Sequence, residues 1–145
     1  MERHVIGFLR ASLLWLGAGV TLGVVMAMRP ALTGYRPAHL HMLLLGFVTM
    51  MIAGVAYHVL PRFAATPLYS VRLARVHFVL ANVGLALLVG GFIVRVHGAS
   101  LAPVLLGVGG TLSAAGAYCL AFNLWRTLDH AAVAPSRLKP LPTIH

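Results

Sequence analysis

The sequence predicts an all-α integral membrane protein, an antiparallel four-helix bundle with both termini on the cytoplasmic side. Three observations carry this. The 145-residue chain is 60% hydrophobic and only 9% charged, far from the balance of a soluble domain. Four nearly uncharged apolar stretches of 18 or more residues, at about residues 5–28, 38–60, 71–94 and 101–125, are each long enough to cross a bilayer. The eleven basic residues divide unevenly between the faces of such a topology. Arg3, Arg10, Arg62, Arg72, Arg75, Arg126, Arg137 and Lys139 fall on one side, Arg29, Arg36 and Arg95 on the other, which is the positive-inside pattern. The net charge of +9 is thereby assigned to orientation and anionic membrane lipid, and no nucleic-acid partner is expected. The natural home for such a chain is a bacterial cytoplasmic (inner) membrane.

Taken in order, the first helix is too long for a signal-peptide core and reads as retained. It carries Gly17, Gly19, Gly23 and Ala27, then Met26 and Met28 at its outer end, and Arg29-Pro30 stops it. Pro37 suits the first turn of the second helix, where its missing N–H costs nothing, and Pro61 is expected to close that helix. The third helix sets His77, Gly84 and Gly91 on one face at seven-residue intervals. The fourth opens with Gly107, Gly109 and Gly110, followed by Ser113, Ala114 and Ala117. Residues 1–128 form the transmembrane domain, and residues 129–145, with Pro135, Pro140 and Pro142, read as a mobile cytoplasmic tail. Cys119, the sole cysteine, excludes an intrachain disulfide and reads as a small core residue.

The second helix organises the rest. It begins Arg36-Pro37-Ala38-His39-Leu40-His41, and an imidazole inside a membrane span is a functional candidate because hydrocarbon does not solvate it. At about 100° per residue His39 and His41 point roughly 200° apart, so they cannot easily chelate one ion but can serve two neighbours. His39 shares its face with Gly46, Met50, Ala53 or Gly54, and Tyr57. The face of His41 is bulkier, with Leu45, Val48, Ile52, Val55 and Val59. Reflecting positions about the short loops puts the pair level with residues 24–26, 90–91 and Gly107. Glycines there permit close helix packing, and equally leave room for a flat cofactor. His58 and His77 lie at the other side of the membrane, within about 8 Å along the axis. They form either a lower-ranked second haem or metal site, or a structural pair bonded to Tyr57, Asn82 or backbone. His97 reads as a solvated loop residue, and His4, His130 and His145 as solvated residues near chain ends.

These residues resemble a family. Ala38-His39-Leu40-His41 through Gly46, then Gly54-Val55-Ala56-Tyr57 to Pro61, then Ala74-Arg75-Val76-His77-Phe78 to Gly84, look like the tenth and eleventh helices of haem-copper oxidase subunit I. The resemblance covers about 50 residues. It implies that His39 stands at a high-spin haem's proximal position and His41 at a low-spin haem's ligand position, with His77 structural. It carries over no copper-site helix of the His-x-x-x-His-Tyr kind, so oxygen reduction is not implied.

The sequence thus predicts a membrane-embedded b-type haem protein (haem b, protohaem IX) serving electron transfer or the binding of NO, O2 or CO, and not an enzyme by itself. The iron ligands are His39 and His41, with Gly46 lining the cofactor and Met26 a candidate sixth ligand. Expected partners are a homodimer or other homo-oligomer and a respiratory-chain electron partner. Two other readings remain open: a haem or copper handling factor, with Met42, Met50 and Met51 as soft donors, and a haem-free structural subunit of a larger oxidase. With no Ser/His/Asp set, phosphate loop or paired carboxylate, and Glu2 and Asp129 the only acids, a hydrolytic enzyme is not expected.

Overall fold

A computed structural model describes residues 2–133, and four helices long and apolar enough to span a membrane account for nearly all of them. They are α1 (Arg3–Met28), α2 (Pro30–Phe63), α3 (Val71–Val96) and α4 (Ala102–Val133). The first and third match the predicted spans to within two residues. The other two run longer, for identifiable reasons.

Helix α2 opens early as a 3-10 stretch at Pro30–Tyr35, where Pro30 supplies the fixed φ of a first helical position, and becomes α-helical at Arg36. It does not stop at Pro61 but ends at Phe63. Pro61 forgoes the one bond its N–H would have donated to Tyr57 O, and the helix continues past it for two residues. The ending is set instead by Ala65, whose left-handed φ of 48° lets its N–H reach Arg62 O and the Thr66 N–H reach Pro61 O. Helix α3 ends in the same motif with Gly98 at the left-handed position. There the residue type suits the backbone.

Between Met42 and Thr49 α2 is π-helical, and the Thr49 hydroxyl donates to Leu44 O five residues back. The buried residues Ala38, Met42, Gly46 and Met50 recur every four positions. In a straight α-helix each such step drifts by about 40°. The wider π turn cancels that drift and keeps them on one face.

Helix α4 measures about 48 Å at 1.5 Å per residue, against about 30 Å of hydrocarbon. Its excess length has a use. Asn123 and Thr127, both fully buried, grip the segment between α2 and α3. The Asn123 amide accepts from Ser70 N (2.9 Å) and donates to Ser70 O (2.8 Å), while Tyr69 N donates to Thr127 Oγ1 (3.0 Å). Ser70 in turn caps α3 by accepting from Leu73 N. The tail expected from Asp129 therefore begins as helix through Val133, and its remainder, residues 134–145 with Pro135, Pro140, Pro142 and His145, lies outside the described residues.

Helices α3 and α4 pack backbone to backbone. A Cβ at Gly84 would come within 2.6 Å of Ser113 N, and one at Gly109 within 2.6 Å of Leu88 N. On the other flank, Gly46 accommodates Trp15 of α1 and Leu85 of α3, and Gly54 accommodates Leu9 and Phe8. The Trp15 indole donates to Asn82 Oδ1 (3.2 Å), tying α1 to α3. The apolar core runs along the α1–α2–α3 junction through Val5, Phe8, Met42, Met50, Tyr57, Leu85 and Val89.

Candidate functional site

Both histidines of the pair sit in the first turns of α2, one on each flank. The His39 ring lies in the groove against α1, where its Nδ1 is 2.8 Å from Gly19 O. The ring edge is pressed on Gly23: a Cβ there would be 2.7 Å from His39 Cε1. Only a glycine leaves that space. His41 turns to α3, its ring tilted at 42° to that of Phe92 with centroids 4.8 Å apart. Its Nδ1 is 2.8 Å from Pro37 O, four residues back on the same helix.

These two bonds decide the chemistry. A carbonyl oxygen only accepts, so Nδ1 must carry the hydrogen in both rings. The neutral imidazole then keeps its lone pair on Nε2. Both rings are thus fixed, by backbone carbonyls, in the tautomer and orientation that a metal ligand requires. The 200° divergence predicted from helical spacing corresponds to the observed flanks, one toward α1 and one toward α3.

The other two candidates differ. Arg62 donates to His58 Nδ1 at 2.9 Å, and because guanidinium has no acceptor, the lone pair of His58 lies on Nδ1 and is engaged. Arg62 also donates to His58 O. His77 is buried at 2% exposure, its Nδ1 3.0 Å from the Tyr57 hydroxyl and its ring 4.7 Å from that of Phe8. The structure does not bring His58 and His77 together: one faces Arg62 on its own helix, the other the core. Met26 is half-buried on α1, three residues beyond Gly23, and Gly46 is covered by Trp15 and Leu85. His97 is exposed in the loop after α3, where the Tyr35 hydroxyl meets its Nε2 at 2.9 Å.

His4 is not the solvated chain-end residue that the sequence suggested. It is buried, with Nδ1 3.3 Å from the Glu2 carboxylate, and packs edge-on to Tyr57 with centroids 5.9 Å apart. The signal was present, since His4, Phe8, Ala11 and Ser12 recur at helical spacing and are all buried.

Among the described residues no three His, Cys, Asp or Glu side chains converge on a point that could hold a metal ion. A bare ion is normally held by three or four protein donors. A haem brings four nitrogens of its own and asks the protein for one or two axial donors, a demand that singly presented Nε2 atoms meet.

Two comparisons bear on this geometry. The family model for cytochrome c and quinol oxidase polypeptide I matches residues 3–128. The cbb3-type cytochrome c oxidase subunit CcoN1 of Stutzerimonas stutzeri is 27% identical in an alignment covering 90% of this chain and 34% of that protein. The chain spans about a third of the length of that relative.

Proposed function

Because the chain belongs to the family of cytochrome c and quinol oxidase polypeptide I, we propose that it is a b-type haem protein of the bacterial inner membrane, with His39 and His41 as axial ligands. The observation that carries this reading is the pair of Nδ1–H bonds to Gly19 O and Pro37 O, which leaves both Nε2 lone pairs uncommitted. A bound haem supplies a one-electron couple and, with an open coordination position, a site for a diatomic gas. The protein's share is ligation and exclusion of water. His39 presents Nε2 from the α1 flank and His41 from the α3 flank, so the two serve separate haems or compete for one. Met26 stands as the sixth-ligand candidate on the His39 flank.

The arrangement proposed is antiparallel with both termini in the cytoplasm. Support comes from the successive α3–α4 neighbours, Gly84 with Ser113, Gly109 with Leu88, and Gly91 with Leu106, and from the uneven distribution of arginines. Homo-oligomerisation and a respiratory electron partner belong to the same proposal. Copper is the less favoured cargo. A second reading, a haem-free subunit packing against a larger oxidase, is favoured by one observation: Gly46, Gly84 and Gly109 are filled by neighbouring helices.

Titration of haem into detergent-purified protein separates the readings. The haem reading expects saturable uptake by the wild type, its loss in the double variant His39→Ala/His41→Ala, and retention in His58→Ala. Uptake by the double variant at wild-type stoichiometry contradicts it.

A further inference from the structure

Where α2, α3 and α4 meet, away from the histidine pair, lies a partly open cavity of about 50 Å³. Its apolar lining includes Leu45, Met50 and Ala81, and its polar lining is Thr49, His77 and Ser113, one residue from each helix. The Ser113 hydroxyl is buried and has no hydrogen-bond partner among the described residues. Thr49 has already given its hydroxyl hydrogen to Leu44 O, so its oxygen remains an acceptor only. His77 commits Nδ1 to Tyr57, and the carbon next to its other nitrogen, Cδ2, lies against α4 at Gly116, where a Cβ would come within 3.3 Å. Nε2 is therefore the polar atom that His77 has left for the α4 side, on which Ser113 stands one turn away.

A buried hydroxyl without a partner is costly anywhere and more so inside a membrane span, where bulk water cannot rescue it. A water molecule needs roughly 10–15 Å³ of cavity and two to four polar partners. This cavity exceeds the first requirement and meets the second. An apolar diatomic gas would fit the volume but leave the hydroxyl unsatisfied. We propose that the cavity is a water site: one or two ordered waters bridge Ser113 Oγ, His77 Nε2 and Thr49 Oγ1. They close a hydrogen-bonded chain Tyr57–His77–water–Ser113 across three helices. This inference does not rest on haem binding.

Radiolytic labelling tests it, because hydroxyl radicals formed from bound water oxidise the side chains beside it. The purified full chain in detergent is exposed to a synchrotron pulse in H2(18)O, and methionine oxidation is read by mass spectrometry. Met50 lines the cavity and is 2% exposed, whereas Met42 is 9% exposed and does not line it. The water site predicts oxidation of Met50 several-fold faster than of Met42 despite its deeper burial. It also predicts that Ser113→Ala lowers the thermal midpoint, since a satisfied hydroxyl is lost. Oxidation of Met50 no faster than Met42, or a midpoint raised by Ser113→Ala because an unsatisfied hydroxyl has been removed, overturns the proposal.

Discussion

An imidazole offers a metal one lone pair, and whatever holds its other nitrogen decides which atom that is. In α2 the deciding groups are backbone carbonyls, which substitution cannot delete, so the experimental handle on His39 is the surface its ring rests on. Gly23→Ala places a methyl about 2.7 Å from His39 Cε1 and must move the ring off its Gly19 O bond. Loss of such a supporting contact typically weakens metal binding about 10–100-fold. Haem titration of Gly23→Ala is expected to show a weakening of that order with unchanged helix content by circular dichroism. An affinity equal to wild type would show that His39 orientation is unimportant. By contrast, Arg62→Ala releases the lone pair of His58 several turns along α2 from the His39–His41 pair and is expected to leave haem uptake as it was.

At the scale of the helices, the two left-handed endings make an internal comparison. Gly98 occupies one at no steric cost, while Ala65 occupies the other with a Cβ that the conformation disfavours by about 1–2 kcal/mol. Ala65→Gly is expected to raise stability by about 1 kcal/mol, net of the freedom glycine adds to the unfolded chain. Reversible unfolding in mixed detergent measures it, and a destabilised variant would contradict the capping assignment. Asn123→Ala removes two bonds to Ser70 and leaves its half-buried N–H unpaired, while Ser70 O keeps the Ala74 N–H, so a loss of about 1–3 kcal/mol is expected in the same assay. The spans and the divergence of His39 and His41 were legible in the sequence, because apolar length and a 100° step determine them. The grip of Asn123 and Thr127 on Tyr69 and Ser70 was not, since it joins residues more than 50 positions apart and shows no local pattern. The π-helical turn was equally hidden, although the four-residue recurrence of Ala38, Met42, Gly46 and Met50 is its trace. His4 was legible in retrospect but was masked by its nearness to the chain start.

For the whole molecule, the family and the four spans define a membrane protein related to oxidase subunit I, and the uneven arginine distribution sets the orientation we propose. That orientation puts Ser100 outside and Thr66 inside. In a Cys119→Ser background, Ser100→Cys is expected to react with a membrane-impermeant thiol reagent in intact cells, and Thr66→Cys only after lysis. The reverse pattern would invert the topology and place the histidine pair near the cytoplasm. The decisive measurement is the absorption spectrum of the detergent-purified wild-type chain, oxidised and then reduced with dithionite. Axial ligation by His39 and His41 predicts a Soret band with sharp reduced bands of b-type haem, absent from His39→Ala/His41→Ala. A protein that is colourless as purified and takes up no added haem would contradict it.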